Sequence, residues 1–143
     1  MPANTNPIFS LLPDVSSDNA TAMNPTLTTA AADYTGISAN NKLVFTAGSN
    51  GGFIQRLRFK AIGTNTASVA RIYINNGSTN TTAANNSFYG EIALPATTAI
   101  ATTSTIDLDY PMNFAINASF RIYVGLGTTV AAGWVCTPVA GEY

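Results

Sequence analysis

The sequence predicts an all-β protein: an antiparallel β-sandwich of about eight short strands, jelly-roll-like or immunoglobulin-like, behind an extended N-terminal arm. Three observations predict it. Beyond residue 40, apolar residues recur at every second position in short runs, the period of a half-buried strand. Clusters of Gly, Asn, Thr and Pro punctuate those runs. No stretch carries a helical period of any length.

At 143 residues the chain is long enough for a core of its own; a domain near this size buries roughly two-thirds of its unfolded surface. It divides into an arm, residues 1–38, and a sandwich domain, residues 39–143. The arm carries Pro2, Pro7, Pro13 and Pro25, no Lys or Arg, and two apolar islands, Ile8-Phe9 and Leu11-Leu12. Proline removes amide donors and pushes the preceding residue toward extended backbone. "TLTTAAADY", residues 26–34, reads as a short helix or a strand.

The strands follow in order. "KLVFTA" runs into "GSNGG", a turn rich in residues that tolerate positive φ. "FIQRLRFKAI", residues 53–62, alternates: Phe53, Leu57, Phe59 and Ala61 point one way, and Arg56, Arg58 and Lys60 the other. "SVARIYIN" sets Ala70, Ile72 and Ile74 against Val69, Arg71 and Tyr73, and ends in a polar tract, residues 75–87. "FYGEIAL" stops at Pro95, "STIDLDY" stops at Pro111, and a short "MNFAI" follows as a separate strand. "SFRIYVGL" and "TVAAGWVCTPV" close the domain, with Trp134 in the core and Cys136 a small buried thiol. The echo between "RIYINNGST" and "RIYVGLGTT" is either a pair of equivalent strands in two halves of a sandwich or coincidence.

Charge and chemistry exclude more than they select. Charged residues make up 9% of the chain, against about 25% in ordinary domains. A net charge of −1 supplies no field to attract nucleic acid or an anionic membrane, and neither is expected as a partner. Histidine is absent, which removes Ser-His-Asp and Cys-His sites and zinc held by His. The glycine loop "AGSNGG" lacks the Lys-Ser/Thr of a phosphate loop and precedes a strand. Asp107 and Asp109 share a strand face roughly 7 Å apart. They read as a calcium-type pair or as a solvated, charge-guarded edge. No catalytic residue, cofactor or resident metal is expected, and the chain is read as a non-enzyme. The start "MPANTNPIFSLLPDV" has no basic segment before its apolar patches, so synthesis in the cytoplasm without an export signal is expected.

The loops carry the positive signal. Asn, Thr and Ser satisfy turns without charge and cost little side-chain entropy to order. A surface made of them packs against copies of itself or against a neighbour with few charges to desolvate.

"ANTNPIF", the run over residues 45–98 that begins "FTAGSNGGF" and ends "EIALPATT", and "YVGLGTTVAAGW" together resemble small virion structural proteins of tailed bacteriophages. The likeness covers nearly the whole chain. It implies a capsid decoration, or cement, protein on the outer head surface, made in the host cytoplasm and stabilising the major capsid lattice. The implied partners are the major capsid protein and neighbouring copies of the same chain, in a homo-oligomer on the particle. The contact residues expected are Ile8, Phe9, Leu11 and Leu12 of the arm, then Arg56, Arg58 and Lys60 facing acidic capsid surface. The alternatives are a tail, neck or fibre-associated structural protein, or a carbohydrate-binding adhesion module. Coplanar exposed rings among Tyr73, Tyr89, Tyr110 and Tyr123 would mark the last.

Overall fold

The computed structural model describes residues 25–31 and 33–143, and the backbone of residues 12–14. The strands are β1 (Leu12–Asp14), β2 (Thr26–Leu27), β3 (Lys42–Thr46), β4 (Gly52–Ala61), β5 (Ser68–Asn75), β6 (Asn86–Leu94), β7 (Asp107–Ile116), β8 (Arg121–Leu126) and β9 (Trp134–Glu142). One sheet has the order β1-β9-β4-β7, with β2 also on β9; the other has the order β3-β8-β5-β6. Every strand pair is antiparallel. The pairs nest outward from the β5–β6 hairpin: β4 with β7, then β3 with β8, then β1 and β2 with β9. Successive pairs of this nest fall in opposite sheets.

The alternation in the sequence builds the core. Ile54, Leu57, Phe59 and Ala61 of β4 and Ala70 and Ile72 of β5 are buried, as are Ile122, Val124, Leu126, Trp134 and Cys136 of β8 and β9. Burial pushes the Cys136 thiol far above its ordinary range, so it is an inert packing group.

Three strand expectations are corrected. "STIDLDY" and "MNFAI" form one strand, β7, which passes through Pro111. β7 lies at a sheet edge, where a missing amide donor costs nothing on the open side, and a register shift opposite Gln55 takes up Met112 and Asn113. The same irregularity turns Phe53 outward and Ile54 inward, so Phe53 does not share the face of Leu57. The last strand begins at Trp134, after a turn, and runs on to Glu142. Pro138 sits in β9 between the stretches that pair with β2 and with β1. The two echo segments are adjacent partners in one sheet, Tyr73 opposite Tyr123, and not equivalents in two halves.

The register gives the sandwich two ends. Ala61 pairs with Trp134 and Ser68 with Leu94, so the connections 62–67, 95–106 and 127–133 cross at one end, called the upper end here. Gly52 pairs with Ile116 and Asn75 with Arg121, so 47–51, 76–85 and 117–120 lie at the lower end.

Part of the stretch expected as an arm belongs to this body. Leu27 is buried in the core beside β9, and Ala31 donates to the Leu126 carbonyl at 2.7 Å. Ala31 and residues 33–36 then lie on the outer face of the second sheet. The Tyr73 hydroxyl donates to the Asp33 carbonyl at 2.8 Å, and Arg71 stacks on Tyr34 at 4.0 Å. Asp33 accepts from the amides of Thr35 and Gly36 at 2.8 and 2.7 Å, which closes the turn. Burial, then the nearby Asp33 charge, pushes the Tyr73 hydroxyl up to about 12.

Leu27→Ala is predicted to lower the unfolding free energy by about 2–5 kcal/mol in a urea titration. A loss within about 0.5 kcal/mol, the range of an ordinary surface change, would show that residues 25–31 are no part of the folding unit.

Candidate docking surface

The upper end is built on one buried amide. Asn65 is 4% exposed and lies in the connection from β4 to β5. Its Oδ1 accepts from the Ala132 and Gly133 amides at 2.9 and 2.7 Å. Its Nδ2 hydrogens are shared among the Gly133 carbonyl at 3.1 Å, the Gly63 carbonyl at 3.3 Å and Thr97 Oγ1 at 3.3 Å. Its backbone exchanges two bonds with Thr97, at 3.0 and 2.9 Å. One side chain therefore ties together the three connections that cross between the sheets at this end. Only a short neutral amide offers two acceptor sites and two donors at this reach; Asp would bring a charge and lose both donors.

The same joint needs its glycines. Gly133 has φ +108°, and a Cβ there would meet Thr26 Cγ2 at 2.8 Å. A Cβ on Gly63 would collide with that of Ala132. Hydroxyls finish the job: Thr97 Oγ1 donates to the Gly63 carbonyl at 2.7 Å, and Thr105 Oγ1 to the Ala61 carbonyl at 2.6 Å. Ser68 and Thr128 bond across to each other's segments at 3.1 Å.

What this scaffold displays is apolar and uncharged. Ile62, Ile100 and Ile106 project from the upper end at 50%, 56% and 39% exposure. No Asp, Glu, Lys or Arg occurs in residues 25–31, 62–67, 95–106 or 127–133. The adjoining charges, Lys60 and Asp107, sit on the strands below and pair with each other at 3.4 Å. Among the described residues, the other exposed large apolar side chains, Tyr34, Ile37, Phe53, Phe88 and Tyr89, lie on strands or turns that carry a charge. The lower end differs. Its loops display Asn and Ser beside Glu142 and Tyr143, and bonds such as Asn86 Nδ2 to the Asn80 carbonyl at 2.7 Å brace residues 76–85.

The residues singled out from the sequence lie elsewhere. Ile8, Phe9 and Leu11 fall outside the described residues; Leu12 pairs through its backbone with Glu142 on β9 of its own chain. Arg56, Arg58 and Lys60 do form one stripe on the outer face of the first sheet, but it is not a free basic patch. Arg56 pairs with Asp109 at 3.5 Å, and Arg58 and Lys60 with Asp107 at 3.1 and 3.4 Å. Two carboxylates against three cations leave the cluster one positive charge. Slight desolvation pushes the Asp107 carboxyl up, and hydrogen bonds from Arg58 and Lys60 outweigh it, so its pKa lies below the ordinary aspartate value. Among the described residues, no three His, Cys, Asp or Glu side chains come together.

The four tyrosines do not make a sugar platform. Tyr73 is buried and Tyr110 and Tyr123 are half-buried. Tyr89, the exposed one, meets Tyr110 at 79° and Phe114 at 51° between ring planes.

The fold and this surface define a class, a β-sandwich protein with a braced, uncharged end. Comparison with protein-family models, curated proteins and solved structures finds no match. Sequence reasoning did not locate the upper end as a surface. Its signal, three chargeless segments, is visible in the sequence, but their meeting at one end is a consequence of strand register.

Two predictions follow from this geometry. Asn65→Ala leaves the part-buried Ala132 amide and the buried Gly133 amide without an acceptor, the latter costing about 1–3 kcal/mol and the former less. Amide hydrogen exchange at both should accelerate along with a fall in unfolding free energy; unchanged exchange would contradict the joint. The depressed Asp107 pKa gives a stabilisation present above the unfolded-state value, about 3.9, and lost as pH falls through the lower folded-state value. An NMR titration should find the Asp107 midpoint below that of a free aspartate, and rising in Lys60→Met and Arg58→Met. A midpoint at or above the free value in the unaltered protein would refute the pairing.

Proposed function

We propose that this chain is a structural protein of a virus particle, a capsid decoration protein of a tailed bacteriophage head, that acts by docking and has no catalytic role. The observation that carries the reading is the upper end: apolar side chains held out on loops that are already braced by hydrogen bonds. Ordering cost is met during folding and not at binding, which favours association. An uncharged contact patch also escapes the desolvation penalty that buried charges impose.

Two further points support the reading. The nested pairing of strands, split alternately between two sheets, supports reading the sandwich as a jelly roll, an architecture found in viral capsid and lectin domains. The sequence resemblance to phage virion proteins points the same way. Within this proposal the upper end takes the place of the basic stripe, the second contact expected after the arm, because the stripe arrives with most of its charge already matched. The partner surface is the major capsid protein. Repetition over the lattice turns individually weak contacts into firm attachment, and binding to the assembled state alone stabilises it by mass action.

The test is co-sedimentation of the purified chain with heads that lack it. Saturable binding at a fixed copy number per head is expected, and Ile100→Asp combined with Ile62→Asp should weaken it by about tenfold or more, about 1.4 kcal/mol. Undiminished binding of the double variant would refute the upper end as the contact. Absence of the chain from mature particles would refute the virion reading.

A further inference from the structure

We propose that a cavity on the second sheet, between β5 and the end of β8, binds a carboxylate on a short aliphatic stem, with Arg71 as the anchoring residue. Ala67, Ser68, Val69, Arg71, Gly127 and Thr128 line it, and its volume is about 330 Å³, within the ordinary range of small-ligand sites. It stands apart from the isoleucine surface, since Ile62 and Ile106 flank strands of the first sheet. Carboxylate binding there holds whether or not the upper end docks on a capsid.

Arg71 is the one ionisable side chain in the lining, and it is 9% exposed. A guanidinium carries five N–H donors. Nη1 donates to the Ala31 carbonyl at 3.4 Å and Nη2 to the Tyr34 hydroxyl at 3.1 Å. The Glu91 carboxylate stands 3.6 Å from Nε, beyond hydrogen-bond reach, and the buried Nε meets no acceptor among the described residues. A buried charge with donors unmet is costly, and a ligand oxygen relieves that cost. A carboxylate does so best, because it is planar, takes two N–H bonds from one guanidinium and brings the opposite charge. The neighbouring carboxylates do not border the cavity. The Glu91 side chain is 44% exposed, so water screens it. Asp33 is turned into its own turn, where it accepts from the Thr35 and Gly36 amides.

Gly127 makes the room. Its φ is not positive, so turn geometry does not call for glycine there. A Cβ on it would stand 3.6 Å from Arg71 Nη2 and 2.6 Å from Val69 Cγ2, within the space a ligand takes. The walls are fixed before any ligand arrives. The Gly127 amide donates to the Val69 carbonyl at 2.8 Å, and the Thr128 amide to Ser68 Oγ at 3.1 Å. Ser68 Oγ gives its hydrogen to the Thr128 carbonyl at 3.1 Å, and Thr128 Oγ1 to the Ala67 carbonyl at 3.2 Å. With both hydroxyl hydrogens spent, the guanidinium is the side-chain donor left in the lining for a ligand oxygen. The Tyr34 ring, stacked on it at 4.0 Å, holds its plane, which lowers the ordering cost of binding. The methyl groups of Ala67 and Val69 suit a short aliphatic stem.

An NMR titration of the full chain with propionate, at constant ionic strength, tests this. Saturable shifts are expected at the Arg71 Nε–H and at the Ser68, Gly127 and Thr128 amides, with the 76–85 loop unmoved. Propionamide, the neutral isostere, should bind about tenfold more weakly or worse. Arg71→Gln should abolish the saturable shifts. Because Arg71 also holds Tyr34, Gly127→Ala supplies an independent arm: it leaves the guanidinium in place, fills the cavity and should weaken binding by about tenfold or more. A urea titration checks that each variant is folded. Acetyl-glutamate-N-methylamide separates the sources of the carboxylate. Binding as tight as that of propionate assigns the site to an acidic side chain of a protein, and binding of propionate alone assigns it to a free short-chain acid. No saturable shift at the cavity at any propionate concentration, equal binding of propionamide, or undiminished binding by Gly127→Ala would each overturn the inference. These readings concern the free chain alone, so their failure is distinct from failure to bind heads.

Discussion

The Asn65 side chain is the constraint on which the upper end depends. A sandwich whose paired strands alternate between sheets must cross from sheet to sheet repeatedly, and each crossing exposes backbone groups that no sheet ladder satisfies. Here three crossings meet at one end: the Asn65 side chain accepts from two backbone amides of one and gives its hydrogens to all three, while the Asn65 backbone exchanges a pair of bonds with Thr97 of another. Glycine at 133 and at 63 allows the approach. Because the polar demands of these loops are met inward, their outward positions are free to carry Ile, Ala and Thr.

The two sheets treat their outer faces differently, and the difference leaves the ends as the plain surfaces. The first sheet covers its outer face with paired charges, Arg56, Arg58 and Lys60 against Asp107 and Asp109. The second is covered by residues 33–36, whose Asp33 turn and Tyr34 ring seal Tyr73 and Arg71. Both devices keep long flat sheet surface from presenting itself to neighbours. Under the proposed function, contact is thereby directed to the uncharged upper end, and the few charges of this chain serve folding more than recognition.

Much of the fold was legible because period-two alternation is a local property. Leu57, Phe59, Ile72, Ile122 and Trp134 fall in the core where their spacing puts them. What local pattern missed was set by partners. Pro111 reads as a stop, yet on an edge strand it is tolerated. Phe53 reads as inward, yet a bulge one turn of the pleat later reverses it. The basic stripe and the Asp107-Asp109 pair were each visible, but only the β4–β7 register sets them together. The docking end was the least legible: its chargeless segments are spread over more than a hundred residues of chain, from Pro25 to Gly133, and unite only in three dimensions.

The most direct measurement of the central claim is an amide hydrogen-exchange footprint of the chain on intact particles against the free chain. The account predicts new protection in residues 62–67, 95–106 and 127–133, with the Arg56–Lys60 face and the loop 76–85 unchanged. Protection confined to that charged face or to the lower loops, with the upper end exchanging as in the free chain, would contradict it.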